Sequence, residues 1–410
     1  MRVPDPERVG LGNLKNHMIK VMHVITTLGP AGAETMLCRV AAGMDGTRFE
    51  NEVVSLTGVL DLAERMQEIG VRVRTLGMKK SVPNPLLVMR LAQWIRELKP
   101  DVIQTWMYHA NLVGALAARL AGDVPVVWGI HHNALDPRVD KRRTILINRI
   151  CAFLSRKFPA RIVCCSEASL RVHKRLGYAA EKLEVIPNGF DLEQVKPDPT
   201  ARALVREELG IPADTLLIGI AARFHPQKDH RNFVRAAARL HKQMPEVHFL
   251  LCGLDVTRQN SQLAAWIEAA GVRDCCHLLG VRRDMSRLFA AMDIAATASR
   301  SGEAFPLVIG EAMACGTPCV VTDVGDSAMI VDQTGIVVAP GDPDALAEAW
   351  RKLIEAGPEV RCRLGMAARR RVQHHFALPA IVDRYQAIYA QLGAGAPQGV
   401  PAPSLSRCAR

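Results

Sequence analysis

The run Leu216-Leu217-Ile218-Gly219-Ile220-Ala221-Ala222-Arg223 decides the fold. It is short, apolar and β-rich, and it restarts a pattern that has already passed once through the chain. In the first half, similar runs are Val21 to Leu28, Glu52 to Leu56, Val71 to Leu76, Val102 to Trp106, Val126 to Ile130 and Arg161 to Ser166, with helical patterns between them. After the restart come Val247 to Gly253, Cys276 to Gly280, Asp293 to Ser299, Pro318 to Val324 and Gly335 to Ala339. Strands alternating with helices make parallel sheets, because parallel neighbours need a crossover connection. Two series imply an α/β protein with two Rossmann-like, doubly wound parallel sheets.

Between the series, Pro187-Asn188-Gly189-Phe190-Asp191 ends a strand in turn residues. Lys196-Pro197-Asp198-Pro199 then gives a polar, proline-rich link before a helical stretch, Ala201 to Leu209. The expected division is an N-terminal domain over 18–192 and a C-terminal domain over 193–377, followed by an amphipathic helix over 378–392. Residues 1–17 and 393–410 are expected to be disordered tails; Met18 stands directly before the first strand and is an alternative start to Met1. The carboxyl ends of both sheets face a cleft between the domains, where open α/β sheets bind their ligands.

Composition narrows the class. Of 410 residues, 49% are apolar and 23% charged, and no apolar run approaches the ~18 residues of a spanning helix. Lys and Arg exceed Asp and Glu by 52 to 41, an excess that suits anionic partners without choosing among them. The 11 cysteines are scattered in apolar runs with no Cys-x-x-Cys pair, which reads as buried thiols in a reducing cytoplasm. The N-terminus lacks the apolar core of a secretory signal.

Chemistry concentrates in Ser301-Gly302-Glu303-Ala304-Phe305-Pro306-Leu307-Val308-Ile309-Gly310-Glu311-Ala312-Met313-Ala314-Cys315-Gly316-Thr317-Pro318. Pro306 suits a first helical turn and Gly316 the position past a helix end, so a helix is expected over about 306–314. Glu303 then lies in the loop before it and Glu311 on it, two carboxylates for a hydroxyl-rich ligand beside amides suited to a diphosphate. A second cluster, Ala221-Ala222-Arg223-Phe224-His225-Pro226-Gln227-Lys228-Asp229, presents two cations five residues apart at the end of a strand. Arg223 and Lys228 can stabilise charge that accumulates on a departing phosphate; His225 reads as loop packing.

In the first domain, Gly29 and Gly32 sit in Thr26-Thr27-Leu28-Gly29-Pro30-Ala31-Gly32-Ala33-Glu34, which is neither a G-x-G-x-x-G fingerprint nor a Walker loop. Trp128-Gly129-Ile130-His131-His132-Asn133 puts a histidine pair at the end of another strand. Position favours the cleft for His131, while His132 reads equally as a structural histidine. No metal-ligand spacing is found, and Asp342-Pro343-Asp344 reads as a helix cap.

These motifs resemble the GT-B glycosyltransferases, specifically the retaining family 4, or group 1, transferases, over roughly residues 18 to 392. The most specific element is the E-x7-E pattern from Glu303 to Glu311; Ala304 stands where the family usually has glycine, and Ala31 replaces the first residue of its Gly-Gly loop. Ile186-Pro187-Asn188-Gly189-Phe190-Asp191 and Val163-Cys164-Cys165-Ser166-Glu167 also resemble family landmarks. The resemblance implies a nucleoside-diphosphate sugar (UDP, GDP or ADP) as donor, and no cofactor or metal. It implies that Arg223 and Lys228 hold the diphosphate, Glu311 the ribose and Glu303 the donor sugar's hydroxyls. Amides around Phe305 and Leu307 would lie nearby, backbone at Val281 and Arg282 would face the base, Gly32 would approach the phosphates, and His131 would contact the sugar near the reacting carbon. The implied acceptor is lipid-linked or an oligosaccharide, in bacterial lipopolysaccharide, capsule or exopolysaccharide assembly. An epimerase or a sugar phosphorylase on the same architecture is the alternative.

A non-catalytic nucleic-acid role ranks low, since no helix-turn-helix, RNP or zinc-finger spacing is present and aromatics are 5%. The basic excess is uneven. Arg138 to Arg161 holds eight Arg and Lys against Asp140 alone, interleaved with Ile145, Leu146, Ile147, Ile150, Phe153 and Leu154. It reads equally as an ordinary helix on a sheet or as an interfacial helix docking on anionic lipid, which would place the protein peripherally on the inner face of the cytoplasmic membrane.

Overall fold

A computed structural model of the chain describes residues 18–29, 31–58, 62–78, 85–133 and 141–394. The first sheet is built from β1 (Ile19–Ile25), β2 (Phe49–Ser55), β3 (Arg72–Thr75), β4 (Val102–Trp106), β5 (Val126–Ile130), β6 (Arg161–Cys164) and β7 (Leu183–Val185), in the order β3-β2-β1-β4-β5-β6-β7. The second holds β8 (Leu217–Ala221), β9 (His248–Cys252), β10 (Cys276–Leu278), β11 (Ile294–Ala296), β12 (Cys319–Thr322) and β13 (Gly335–Val338), in the order β10-β9-β8-β11-β12-β13. Every pair is parallel. Both expected sheets are therefore present, each doubly wound.

Each order reverses once, between β1 and β4 and between β8 and β11, and such a reversal opens a crevice at the carboxyl ends of the strands. The inner strands are largely apolar, as burial on both faces favours: β4, β5 and β8 are buried at every position, with Gln104 and Thr105 of β4 the polar exceptions among these three. Where β5 and β8 must meet bulky neighbours they use glycine. A Cβ on Gly219 would fall 2.3 Å from the Met292 sulfur.

The chain crosses between the halves twice, side by side. Phe190 donates its amide to the Phe376 carbonyl and Leu378 donates to the Phe190 carbonyl, each at 2.9 Å. After the second crossing, the helix Leu378–Gly393 packs on the first sheet. Ile381, Val382, Tyr385 and Tyr389 join its core, and the Tyr389 hydroxyl donates to Gln104 Oε1 at 3.0 Å. Gly393 closes this helix instead of starting a tail; the rest of the C-terminal tail, residues 1–17, Arg138 and Asp140 lie outside the described residues. Described cysteines are free thiols, buried except for Cys38 and Cys362.

Candidate active site

At the carboxyl edge of the second sheet, Arg223 stands exposed two residues past β8. The loop continues through His225, whose Nδ1 accepts from the Gln227 amide at 3.3 Å, to Lys228. Asp229 follows in the left-handed region (φ 45°), which aspartate tolerates better than most residues, and caps the helix His230–His241. This conformation turns Lys228 toward the loop after β11. There its Nζ donates to Glu303 Oε1, which also accepts from the Ser299 hydroxyl at 2.6 Å. The loops can touch because residue 302 is glycine: a Cβ there would lie 2.4 Å from Gln227 Nε2.

Glu311 lies on the helix Leu307–Ala314, which starts one residue later than expected because Pro306 is extended (ψ 108°) and serves as its N-cap. Its Oε1 accepts from Arg39 at 2.7 Å, and Arg39 comes from the other half of the chain, on the helix Gly32–Gly43. Both carboxylates thus spend Oε1 on a cation, and neither Oε2 has a partner among the described residues. A polyol needs such free acceptors.

Arg39 was not legible as a site residue. Besides Glu311 it donates to the Gly189 carbonyl at 3.0 Å and sits 5.7 Å over the Phe190 ring, so it touches both halves and the crossing between them. Asp326 is a second such residue. Its carboxylate accepts from the amides of Glu167 and Ala168, at 2.7 and 2.8 Å, at the start of a helix of the first half, and burial holds its pKa above the usual carboxylate value. Gly325, in the left-handed region, lets the Asp326 loop lie against the Glu303 carbonyl, 2.3 Å from where a Cβ would be.

The other expected residues fall as follows. Gly32 opens its helix against Leu307, with a Cβ position 3.7 Å from Leu307 Cδ1, so the halves meet there. Phe305 is buried between the rings of Phe190 and Phe376, leaving its backbone, not its side chain, for a ligand. Val281 is exposed beyond β10. The Arg282 guanidinium is committed to Glu208 at 2.5 Å and Asp284 at 2.7 Å, so only its backbone is available. Asp342 caps the helix Pro343–Glu355, as expected.

His131 lies past the end of β5, stacked on Trp106 with ring centroids 5.0 Å apart. The residue is half-buried, yet both ring nitrogens are buried and without a partner among the described residues, and burial lowers its pKa to about 4, so it is neutral near pH 7. Thr26 Oγ1 and Asn133 Oδ1, past β1 and β5 on the same sheet edge, are also buried without partners among the described residues. His132 instead belongs to packing, its carbonyl accepting from the Ser169 hydroxyl at 2.7 Å. Among the described residues, no group of three or more His, Cys, Asp and Glu is placed to hold a metal ion.

Residues 30–194 match the family model for glycosyltransferase family 4, and residues 215–356 the model for glycosyl transferases group 1. A D-inositol 3-phosphate glycosyltransferase of Xylanimonas cellulosilytica is 31% identical over 306 residues, covering 70% of this chain and 71% of that protein. The chain belongs to the family 4, group 1 glycosyltransferases. A UDP-Gal:α-D-GlcNAc-diphosphoundecaprenol α-1,3-galactosyltransferase of Escherichia coli is 25% identical to this glycosyltransferase over 340 residues, 82% of this chain and 86% of that one. The crystal structure of Anabaena HepE with UDP-glucose superposes with a TM-score of 0.79 at 26% identity, over 92% of this chain and 100% of HepE. The lipopolysaccharide glycosyltransferase WaaG, at 16% identity and a TM-score of 0.71, shares the GT-B fold.

Proposed function

We propose that this glycosyltransferase moves a sugar from a nucleoside-diphosphate donor to a lipid-linked or oligosaccharide acceptor in bacterial surface polysaccharide assembly, with retention of anomeric configuration and without a divalent metal. The observation that carries the reading is the Lys228–Glu303 pair at the edge of the second sheet, each carboxylate of the E-x7-E pattern held through one oxygen and offering the other. Residues 18–192 act as the acceptor domain and 193–377 as the donor domain. Relatives named for UDP-galactose and solved with UDP-glucose support a UDP-sugar.

In this reading Arg223 and Lys228 bind the diphosphate and stabilise it as it leaves. Glu311 Oε2 receives ribose hydroxyls, Glu303 Oε2 those of the sugar, and Gly32 with the amides near Phe305 and Leu307 lies along the phosphates. Backbone at Val281 and Arg282 faces the base. The bond from the anomeric carbon to the diphosphate breaks, leaving an oxocarbenium-like sugar. The acceptor oxygen bonds on the same face, and its proton passes to the departing phosphate oxygen. Neutral His131 contacts the sugar and adds no charge to repel the cation. Glu303 is not assigned as a nucleophile in this reading, because its Oε2 accepts from the sugar's hydroxyls while Lys228 and Ser299 hold its Oε1. A panel of UDP-, GDP- and ADP-sugars scored by thermal shift should give one clear stabiliser. Transfer should survive EDTA and give the donor's anomer by NMR; loss restored by Mg²⁺, or an inverted product, would remove those parts of the reading. Interconversion of donors without acceptor would indicate an epimerase.

The helix Arg142–Leu154 supports a peripheral membrane position. Its buried side is Ile147, Asn148, Cys151 and Ala152, while Phe153 (82% exposed), Leu146 (58%) and Ile150 (37%) face outward. Arg142, Arg143, Arg149, Arg156 and Lys157 are exposed beside them. Exposed large apolar side chains interleaved with cations on one face fit an anionic lipid surface at the cytoplasmic side. Among the described residues no helix is long and apolar enough to cross a membrane.

A further inference from the structure

A cavity of about 300 Å³ lies outside the donor cleft, between the loop after β8, the helices His230–His241 and Ser261–Ala269, and the loop after β11. Three guanidiniums line it, Arg231, Arg235 and Arg300, against one carboxylate, Asp229, which pairs with Arg300 at 3.2 Å. Arg235 is exposed, and its guanidinium has no partner among the described residues. The cavity is therefore a local positive site with uncommitted donors.

One wall is aromatic. Phe224 lies 5.4 Å from the His230 ring and 5.6 Å from the Trp266 ring, with Arg231 5.9 Å over Trp266. The lining also contains two deeply buried polar side chains, each with one atom unpartnered among the described residues: His230, 2% exposed, at Nδ1, and Asn232, 4% exposed, at Nδ2. The His230 Nε2 faces the Ala222 carbonyl at 3.2 Å, which assigns its proton to Nε2 and leaves Nδ1 an acceptor. A bare anion has nothing to donate to that nitrogen. A hydroxyl does, and a sugar ring also offers a flat apolar face to Trp266 and Phe224.

We propose that this cavity is a second ligand site that binds an anionic carbohydrate, a sugar ring carrying a phosphate or a carboxylate. The anion meets Arg235 and Arg231, hydroxyls meet His230 Nδ1 and Asn232 Nδ2, and the ring lies on the aromatic wall. The occupant sits behind the loop that carries Lys228 but touches neither carboxylate of the E-x7-E pattern. The site is independent of the donor assignment, because its residues are not those of the proposed donor site.

Calorimetric titration of the full chain with glucose 6-phosphate and with glucuronate, against glucose and inorganic phosphate, tests this. Binding of either acidic sugar is expected, at least about tenfold tighter than glucose or phosphate, from its charge-assisted bonds. It should persist with UDP in excess and in Glu311→Ala, and fall about tenfold or more in Arg235→Glu, an exposed substitution whose fold is checked by its melting curve. Glucose 6-phosphate alone would point to a phosphosugar, glucuronate alone to an acidic polysaccharide unit. No binding by either, equal binding by glucose or phosphate, displacement by UDP, or unchanged binding in Arg235→Glu would each overturn the proposal.

Discussion

Arg39, on the helix Gly32–Gly43, holds Glu311 Oε1 of the second half at 2.7 Å while donating to the Gly189 carbonyl in the crossing between them. Both side chains of the pair keep 18% exposure, so the attraction is partly screened. Its value lies in orientation: with Oε1 taken, Oε2 has a fixed direction. Arg39→Met should therefore raise the KM for the donor by roughly fivefold, about 1 kcal/mol, with little change in kcat. It should also speed amide exchange at Pro187 to Asp191. Unchanged KM and exchange would show that Arg39 positions nothing.

Arg223→Ala and Lys228→Ala address the departing diphosphate. Each removes a cation from the place where charge develops, so kcat should drop on the order of 10²- to 10³-fold. Lys228→Ala should be worse than Arg223→Ala, because it also frees Glu303, whose Oε1 is then left to Ser299 alone. Steady-state transfer assays with the stabilising UDP-sugar give the comparison, and near-normal turnover of both variants would take the pair out of the mechanism.

Acid should unfold the protein through its neutral histidines. His23, His131, His173 and His230 each have pKa values lowered by burial to about 4. Between about 6.5 and 4 the unfolded chain binds more protons at these sites than the native one, so stability rises with pH across that window and falls as pH drops through it. Each histidine contributes a loss of roughly 2–3 kcal/mol by the bottom of the window. Melting temperature should be nearly constant above pH 7 and decline steeply from about pH 6 to 4.5. A flat profile there would mean these rings are not held neutral.

Strand positions were readable because inner parallel strands are short, mostly apolar runs, as in Val102–Trp106 and Val126–Ile130, which match the observed limits. The three-residue β7 was not among those runs; Leu183–Val185 is half-buried at the sheet edge and too short to show a period. The loop–helix placement of Glu303 and Glu311 followed from Pro306 and Gly316. Arg39 and Asp326 did not follow from anything local: their partners lie 272 and 158 or more residues away, and a helical arginine looks the same whether it meets solvent or a facing domain. The pattern around Phe153 likewise marked an amphipathic helix without saying which apolar residues the sheet would leave uncovered.

The uncovered residues on that helix make the membrane reading quantitative. Inserting Phe153, Leu146 and Ile150 would remove three large apolar side chains from water, about 1.5–3 kcal/mol each when complete. The neighbouring cations add about 1 kcal/mol each near an anionic surface. Wild type should float with vesicles containing phosphatidylglycerol and not with purely zwitterionic ones. Phe153→Glu combined with Leu146→Gln should lose flotation while keeping transfer to a soluble acceptor, because neither residue touches the cleft. Flotation unaffected by the double substitution would move the contact elsewhere.

Gly310 gives the sharpest packing test. Phe190, at the first crossing, presses its ring on the helix Leu307–Ala314 so closely that a Cβ at residue 310 would lie 2.1 Å from ring carbon Cζ. That ring also stacks near Phe305, at 6.3 Å, and lies under Arg39, so it cannot withdraw without disturbing both the helix that carries Glu311 and the crossing. Gly310→Ala should cost about 1–3 kcal/mol by overpacking despite the higher helix propensity of alanine. Phe190→Leu alone should cost a comparable amount by leaving space. The two changes together should cost less than their sum, since the smaller side chain makes room for the added methyl, and a double-mutant cycle on urea midpoints measures that coupling. Strict additivity would mean that the ring and the helix do not press on each other, and with that contact gone the crossing would no longer set the position of Glu311.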